Sequence, residues 1–202
     1  MHIKIPEQTE GGCSDIVSSS SFNTVAEAIV HFKCIKRRFF DVNSWELFMG
    51  EEQADFALCD DDGELLLEKA EVGNHVRIKI PGLHNYIGGS FDWVKIECID
   101  TEEDEDSEIV FVRVRPCVNP MKKNGKIAHF HKEIATLSLL IKRDGSEISC
   151  EVHGRNEVPN TDHLTLLDKL RNEVVSLGGT VFASKFEWKN FTDGIIAKRN
   201  CR

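Results

Sequence analysis

The chain has 202 residues, 41% of them hydrophobic and 29% charged, enough to bury one sizeable core and without the visible linker that two domains would need. Lys and Arg number 25 against 34 Asp and Glu, a formal net charge of −9, so the overall field repels phosphate backbones and anionic lipid and argues against nucleic acid and membrane partners. No apolar run approaches the ~20 residues that span a bilayer, and Met1 to Val17 lacks the apolar centre of a signal peptide, so a cytoplasmic location is expected.

Residues 1–22 are polar, with Gly11-Gly12 and the run Ser18 to Ser21, and read as a flexible N-terminal arm in which only Ile3 and Ile5 alternate like a short strand. Residues 23–202 read as a single α+β domain. Thr24-Val-Ala-Glu27 has capping-box spacing, and Val25, Ile29, Phe32 and Phe39, widened by Ala26, Val30 and Ile35, give a helix to near Phe40. Asp41 to Ser44 supplies a stop and a new cap, followed by the apolar patch Trp45, Leu47, Phe48.

From residue 54 to 153 the apolar period falls to two. Phe56 and Leu58 lead through the turn Asp60 to Gly63 to an expected partner strand, Glu64 to Glu68. Val76, Ile78 and Ile80, then Val94, Ile96 and Cys98, then Val110, Val112 and Val114 each line one strand face, and Arg143-Asp-Gly145 joins Ala135–Ile141 to Ile148–Val152 as a hairpin. The expected fold is thus an N-terminal helix, a six- to seven-stranded curved antiparallel sheet with one buried face, and C-terminal helices packed on the sheet. Those helices are a segment over residues 163 to 177, capped by Asn160 and Thr161 and stopped at Gly178-Gly179, and a last amphipathic one through Phe182, Phe186, Phe191 and Ile195, with Trp188 near its edge.

The seven cysteines are scattered singly with no C-x-x-C pair and read as reduced thiols, Cys98 and Cys150 as small buried hydrophobes. The seven carboxylates between Asp100 and Glu108 lack the spacing of a calcium loop and read as a solvated hairpin loop. His129 and His131, two residues apart on a strand, would face one way, but no complete ligand set accompanies them, and no metal is expected. The polar loop cluster His153, Arg155, Asn156 and Glu157 reads as a turn between the last strand and the helix. No nucleophile elbow, dinucleotide fingerprint, phosphate loop or zinc-protease helix is present, so neither enzymatic activity nor a cofactor is expected. The glycine-rich segment Gly73 to Trp93 either displays Leu83, Tyr86, Ile87, Phe91 and Trp93 to a protein partner or folds its aromatics back onto the sheet.

The combination Phe39-Phe40 with Trp45, Ile78-Lys-Ile-Pro-Gly82, Phe91-Asp-Trp-Val94, Val114-Arg-Pro116, His129-Phe130, Ala135-Thr136 and His153 to Asn160 resembles an uncharacterised bacterial family associated with type VI secretion loci. The resemblance covers roughly residues 22 to 196 and departs at Pro81-Gly-Leu-His84, where that family carries Pro-Gly-Pro-Gly. It implies a non-enzymatic adaptor or chaperone whose partner is a secreted effector or a spike component, and it supplies no catalytic residues. The rival from another class is a carrier of a small apolar ligand, because helix, curved antiparallel sheet and C-terminal helix is also the order of helix-grip folds. Weakest is an enzyme built on His129, His131, His153 and Glu157, which would have to converge within hydrogen-bond reach.

Overall fold

The structure, a computed structural model, describes residues 5–49, 54–80, 87–122, 125–160 and 181–198, the first seven residues of the last segment by backbone alone. Seven strands form one sheet: β1 (Gly12–Ser21), β2 (Asp55–Cys59), β3 (His75–Lys79), β4 (Asp92–Glu103), β5 (Ser107–Pro116), β6 (Thr136–Asp144) and β7 (Glu147–Glu157). Every neighbouring pair is antiparallel, and the order across the sheet is β1-β7-β6-β5-β4-β3-β2. Helix α1 (Val25–Phe40), a 3-10 turn (Val42–Ser44) and the single turn α2 (Glu46–Met49) carry the chain from one edge strand to the other, and helix α3 (Val181–Ile196) follows the last strand.

The first strand corrects the expectation of a loose arm. Residues 12–21 pair with β7 from Gly12 opposite Glu157 to Ser21 opposite Glu147. Serine hydroxyls masked the alternation: Ile16 and Ser18 turn inward and are buried, while Asp15, Val17 and Ser19 turn out. The arm itself is tied down, for Asn156 Oδ1 accepts from the amides of Thr9 (2.7 Å) and Glu10 (3.2 Å), and its Nδ2 donates to Glu7 O (3.0 Å). Asn156 adopts φ 55°, a left-handed conformation that asparagine tolerates better than most side chains.

Glu64 to Glu68 is likewise not a strand; a single bridge, Cys59 to Leu65, marks the spot, and the partner of β2 is β3. Leu65 and Leu67 stay exposed, so the run had no buried face to drive pairing. Elsewhere the elements follow their sequence signals. Thr24 caps α1 by accepting from Glu27 N–H at 3.2 Å, and Ala28, Phe32, Ile35 and Phe39 form its buried stripe, with Val25 and Val30 left outside it. Gly145, at φ 57°, makes the β6–β7 turn that most side chains would strain. The helix expected over residues 163 to 177 lies outside the described residues.

The sheet curls strongly enough that α3 touches both of its edges. On β1, Thr192 Oγ1 lies 2.7 Å from Ser18 Oγ, and Lys189 Nζ donates to that same oxygen at 2.7 Å. On β2, the Trp188 ring stands 6.2 Å from that of Phe56, and Trp45 links Phe56 and Phe191 at 5.5 and 5.0 Å. Arg38 of α1 donates to the carbonyls of Ile195 (3.1 Å) and Ala197 (2.9 Å), satisfying acceptors that the end of α3 would otherwise leave open. A Cβ on Gly194 would sit 1.9 Å from Phe48 O, so only glycine lets α3 approach α2 this closely.

Cys34 is disulfide-bonded, whereas Cys13, Cys59, Cys98, Cys117 and Cys150 are free thiols. Single scattered cysteines say nothing about which of them the fold brings together, so this pairing was not visible in the spacing. Cys98 is half-buried and Cys150 fully buried, and burial pushes the Cys150 thiol up.

Candidate functional site

Two regions of the sheet are chemically developed, and they lie on opposite faces. The concave face is apolar. Val94, Ile96, Val110, Val112 and Val114 from β4 and β5 point inward with Leu139, Ile141, Ile148 and Val152 from β6 and β7, and α1 and α3 supply Phe32, Ile35, Phe39, Phe191 and Ile195. Sheet residues here are short and mostly β-branched, and the bulk comes from the helices and from Trp45. On the helix side this interior is covered by α1 together with α3, which reaches both edge strands.

The convex face carries buried apolar residues, Ile109, Phe111 and Leu140, beside a polar group centred on β7. The cluster at His153 to Glu157 belongs to β7 itself, not to a turn beyond it, because its residues pair with β1 as far as Glu157 opposite Gly12. His153 and Arg155 therefore share the outer face with Glu151, and register brings Asp15 of β1 opposite His153, whereas the register shift beside Asn156 turns the Glu157 carboxylate to the Gly154 side, next to Ser14. His153 Nδ1 lies 2.5 Å from Asp15 Oδ1 and Nε2 lies 3.0 Å from Glu151 Oε2. Arg155 donates to Asp15 Oδ1 at 2.7 Å and to the carbonyl of Ser14 at 3.1 Å, and Ser14 Oγ donates to Glu157 Oε1 at 3.1 Å.

A histidine between two carboxylates is an imidazolium donor. The hydrogen bond to Glu151 raises its pKa above the ordinary 6.5, and the bond to Asp15 adds to this against the opposing effect of burial. The same histidine lowers both carboxyls, as first cause in each case. With both ring nitrogens engaged, His153 has no lone pair with which to activate a hydroxyl, so Ser138, directly across on β6, is not the nucleophile of a Ser-His pair. Of the other residues suggested for an enzyme, His129 and His131 belong to a segment that pairs with the chain just beyond β7, through His131 and Pro159. His131 is on the 117–135 connection, where burial depresses its pKa to about 3, and its backbone N–H donates to His129 Nδ1 at 3.0 Å. His129 and His131 are also not on a named strand, and among the described residues no group of three His, Cys, Asp or Glu is placed to hold a metal ion.

The proposed recognition loop divides. Leu83 and Tyr86 lie outside the described residues. Trp93 is fully buried against Ala57, Cys59 and Ala128, with its Nε1 donating to Gly88 O at 3.0 Å, so it anchors the connection to the convex face of the sheet and is unavailable to a partner. Ile87 and Phe91 are half-buried beside it, and Arg77 stacks on the Phe91 ring at 4.5 Å. Of the two readings the sequence left open for this segment, Trp93 follows the one in which the aromatics fold back onto the sheet.

Ser14 and Asp15 carry no signal in the sequence because serines mask the alternation of their strand, and Arg113 and Arg115 read only as the outer residues of a strand whose inner face is valine. Arg113 Nε donates to Glu97 Oε2 at 3.0 Å, and Arg115 pairs with the other oxygen of the same carboxylate.

Compared with known proteins, the sequence matches no family model and no curated protein. Among solved structures, a hypothetical protein from Helicobacter pylori aligns at 10% identity over 93% of this chain and 86% of its own, with a TM-score of 0.46. A protein from Arthrobacter aurescens aligns at 9% identity over 100% and 96%, TM-score 0.45, and truncated norcoclaurine synthase from Thalictrum flavum at 10% over 96% and 100%, TM-score 0.34. TM-scores this low establish neither family nor function. None of the three is described as part of a secretion system.

Proposed function

We propose that the protein is a non-catalytic, helix-grip-like binder of a small apolar ligand, held between the concave face of the sheet and helix α3. One observation supports this above the rest: α3 is hydrogen-bonded to the first strand of the sheet and packed by aromatic rings on the last, so sheet and helix together surround an apolar interior. Short β-branched side chains from β4 and β5 line the side opposite the helices. The adaptor reading keeps Ile87 and Phe91 as half-exposed contacts but loses Trp93 to the core.

The test uses Nile red, a neutral apolar fluorophore, with native mass spectrometry of the purified protein. Saturable binding at one site per chain is expected, weakened at least about tenfold in Val112→Trp, whose added volume fills the inner face of β5. A fold check by thermal denaturation accompanies the variant. No saturable fluorescence and no co-purifying organic molecule would overturn the reading and return the adaptor to first place.

A further inference from the structure

The centre of the convex face holds two hydroxyls with donors on both sides and no acceptor. On β6, Ser138 lies between Arg113 of β5 and His153 of β7. Two residues earlier, Thr136 lies opposite Arg155 on β7, and continuing the β5–β6 register places Arg115 on its other side. Thr136 is 4% and Ser138 0% exposed, and neither Oγ1 nor Oγ has a hydrogen-bond partner. A buried hydroxyl left unpaired is destabilising, because it has given up water and gained nothing in return.

Arginine has only N–H donors, and an imidazolium donating from both nitrogens is also a donor only. The carboxylates that balance these cations stand at the flanks: Glu97 takes Arg113 and Arg115, Asp15 takes Arg155 and His153, and Glu151 takes the remaining imidazole nitrogen. Lys95, opposite Arg115, adds another cation at the edge. What the middle column lacks is an acceptor. A water could accept from one hydroxyl and donate to another, but it offers only two lone pairs to several donors. An anion whose every oxygen accepts meets the need.

We propose that the convex face carries an oxyanion site over Thr136 and Ser138, in which a phosphate or sulfate group, free or carried on a larger ligand, accepts from both hydroxyls and from the guanidinium groups of Arg113, Arg115 and Arg155. The hydroxyls are two residues apart on one strand face, about 6.6 Å along the chain, a separation that one tetrahedral anion spans at ordinary hydrogen-bond length. Arginine forks suit such an anion better than lysine would. Their side chains are partly exposed, Arg113 at 25%, Arg115 at 34% and Arg155 at 16%. This site is independent of the apolar interior, which lies on the other face.

The experiment compares thermal denaturation of the full chain and of Thr136→Val/Ser138→Ala in sodium chloride, phosphate, sulfate and acetate at matched ionic strength and pH 6. General salting-out by sulfate and phosphate acts on both proteins and drops out of the difference. The double variant should be at least as stable as the parent in chloride, since it removes two unpaired donors, and should gain less in phosphate and sulfate. A phosphate titration followed at the backbone amide of Ser138 by NMR should saturate for the parent, with affinity lowered about tenfold or more by the double variant and by Arg115→Gln, as expected for loss of charge-assisted hydrogen bonds. Nile red binding should be the same in parent and double variant, which separates failure here from failure of the interior. Equal gains in both proteins, a double variant that is markedly unstable in chloride, or stabilisation by acetate as large as by phosphate would each overturn the assignment.

Discussion

On β6, Leu137, Leu139 and Ile141 point into the interior, while Thr136, Ser138 and Lys142, one step out of phase, lie on the convex side. The neighbouring strands repeat the division: Val112 and Val114 against Arg113 and Arg115 on β5, Cys150 and Val152 against Glu151 and His153 on β7. The concave set is held by area removed from water, which falls off smoothly when a methyl group is lost; the convex set is held by directional pairing, which fails when one partner or one proton is lost. One backbone register thus serves two kinds of cohesion, and the two should respond to different perturbations.

The contrast is tested hardest at Phe32, which is fully buried in the concave core. Phe32→Ala should lower unfolding free energy by about 3–5 kcal/mol in urea denaturation, with no dependence on pH between 5 and 8. A loss under 1 kcal/mol would show that the helix side of the interior is loosely packed.

Asp15→Ala removes an acceptor shared by His153 and Arg155. Because Asp15 is itself half-exposed, the expected loss is smaller, about 1 kcal/mol, and it should shrink in high salt, which the Phe32 effect should not.

The pH dependence carries two signs. His153 is raised, so its contribution is full below 6.5 and is lost as pH rises through the raised value. Asp15 and Glu151 are lowered from 3.8 and 4.5, so theirs is full above those values and is lost as pH falls through the lowered ones. Parent and His153→Gln should therefore differ most in stability between about pH 4.5 and 6.5, and the gap should narrow on both sides. A gap that stays constant from pH 4 to 9 would mean that the histidine packs and does not pair. At the small end, Leu67→Ser, at a side chain 83% exposed, should stay within about 0.5 kcal/mol of the parent.

How far the sequence could be read follows the same division. Concave residues announce themselves, because apolar periodicity is local: the β6–β7 hairpin, α1 and the stripe Phe191 and Ile195 of α3 stand where spacing put them. Convex residues announce nothing until register is known. Arg113, Ser138, His153 and Asp15 come from four strands and are ordinary surface letters in the chain, and Ser14 and Asp15 were hidden further by a serine-rich strand with a single aliphatic pair. Trp93 was open between display and folding back, since a large aromatic near glycines suits both, and contacts with Ala128 from a distant connection decide for the core.

The place of β1 has a consequence for how the molecule is made. Its partner is the last strand, and Ser21 and Glu147, which share a hydrogen bond, are 126 residues apart. As the chain leaves the ribosome, β1 emerges first and must wait, with its edge unsatisfied, until β7 arrives. Closing so large a loop is entropically late, and a topology dominated by such distant pairings folds in milliseconds to seconds, not microseconds. The serines and the single Asp of β1 suit that interval, since a polar strand can remain solvated without seeking a wrong neighbour.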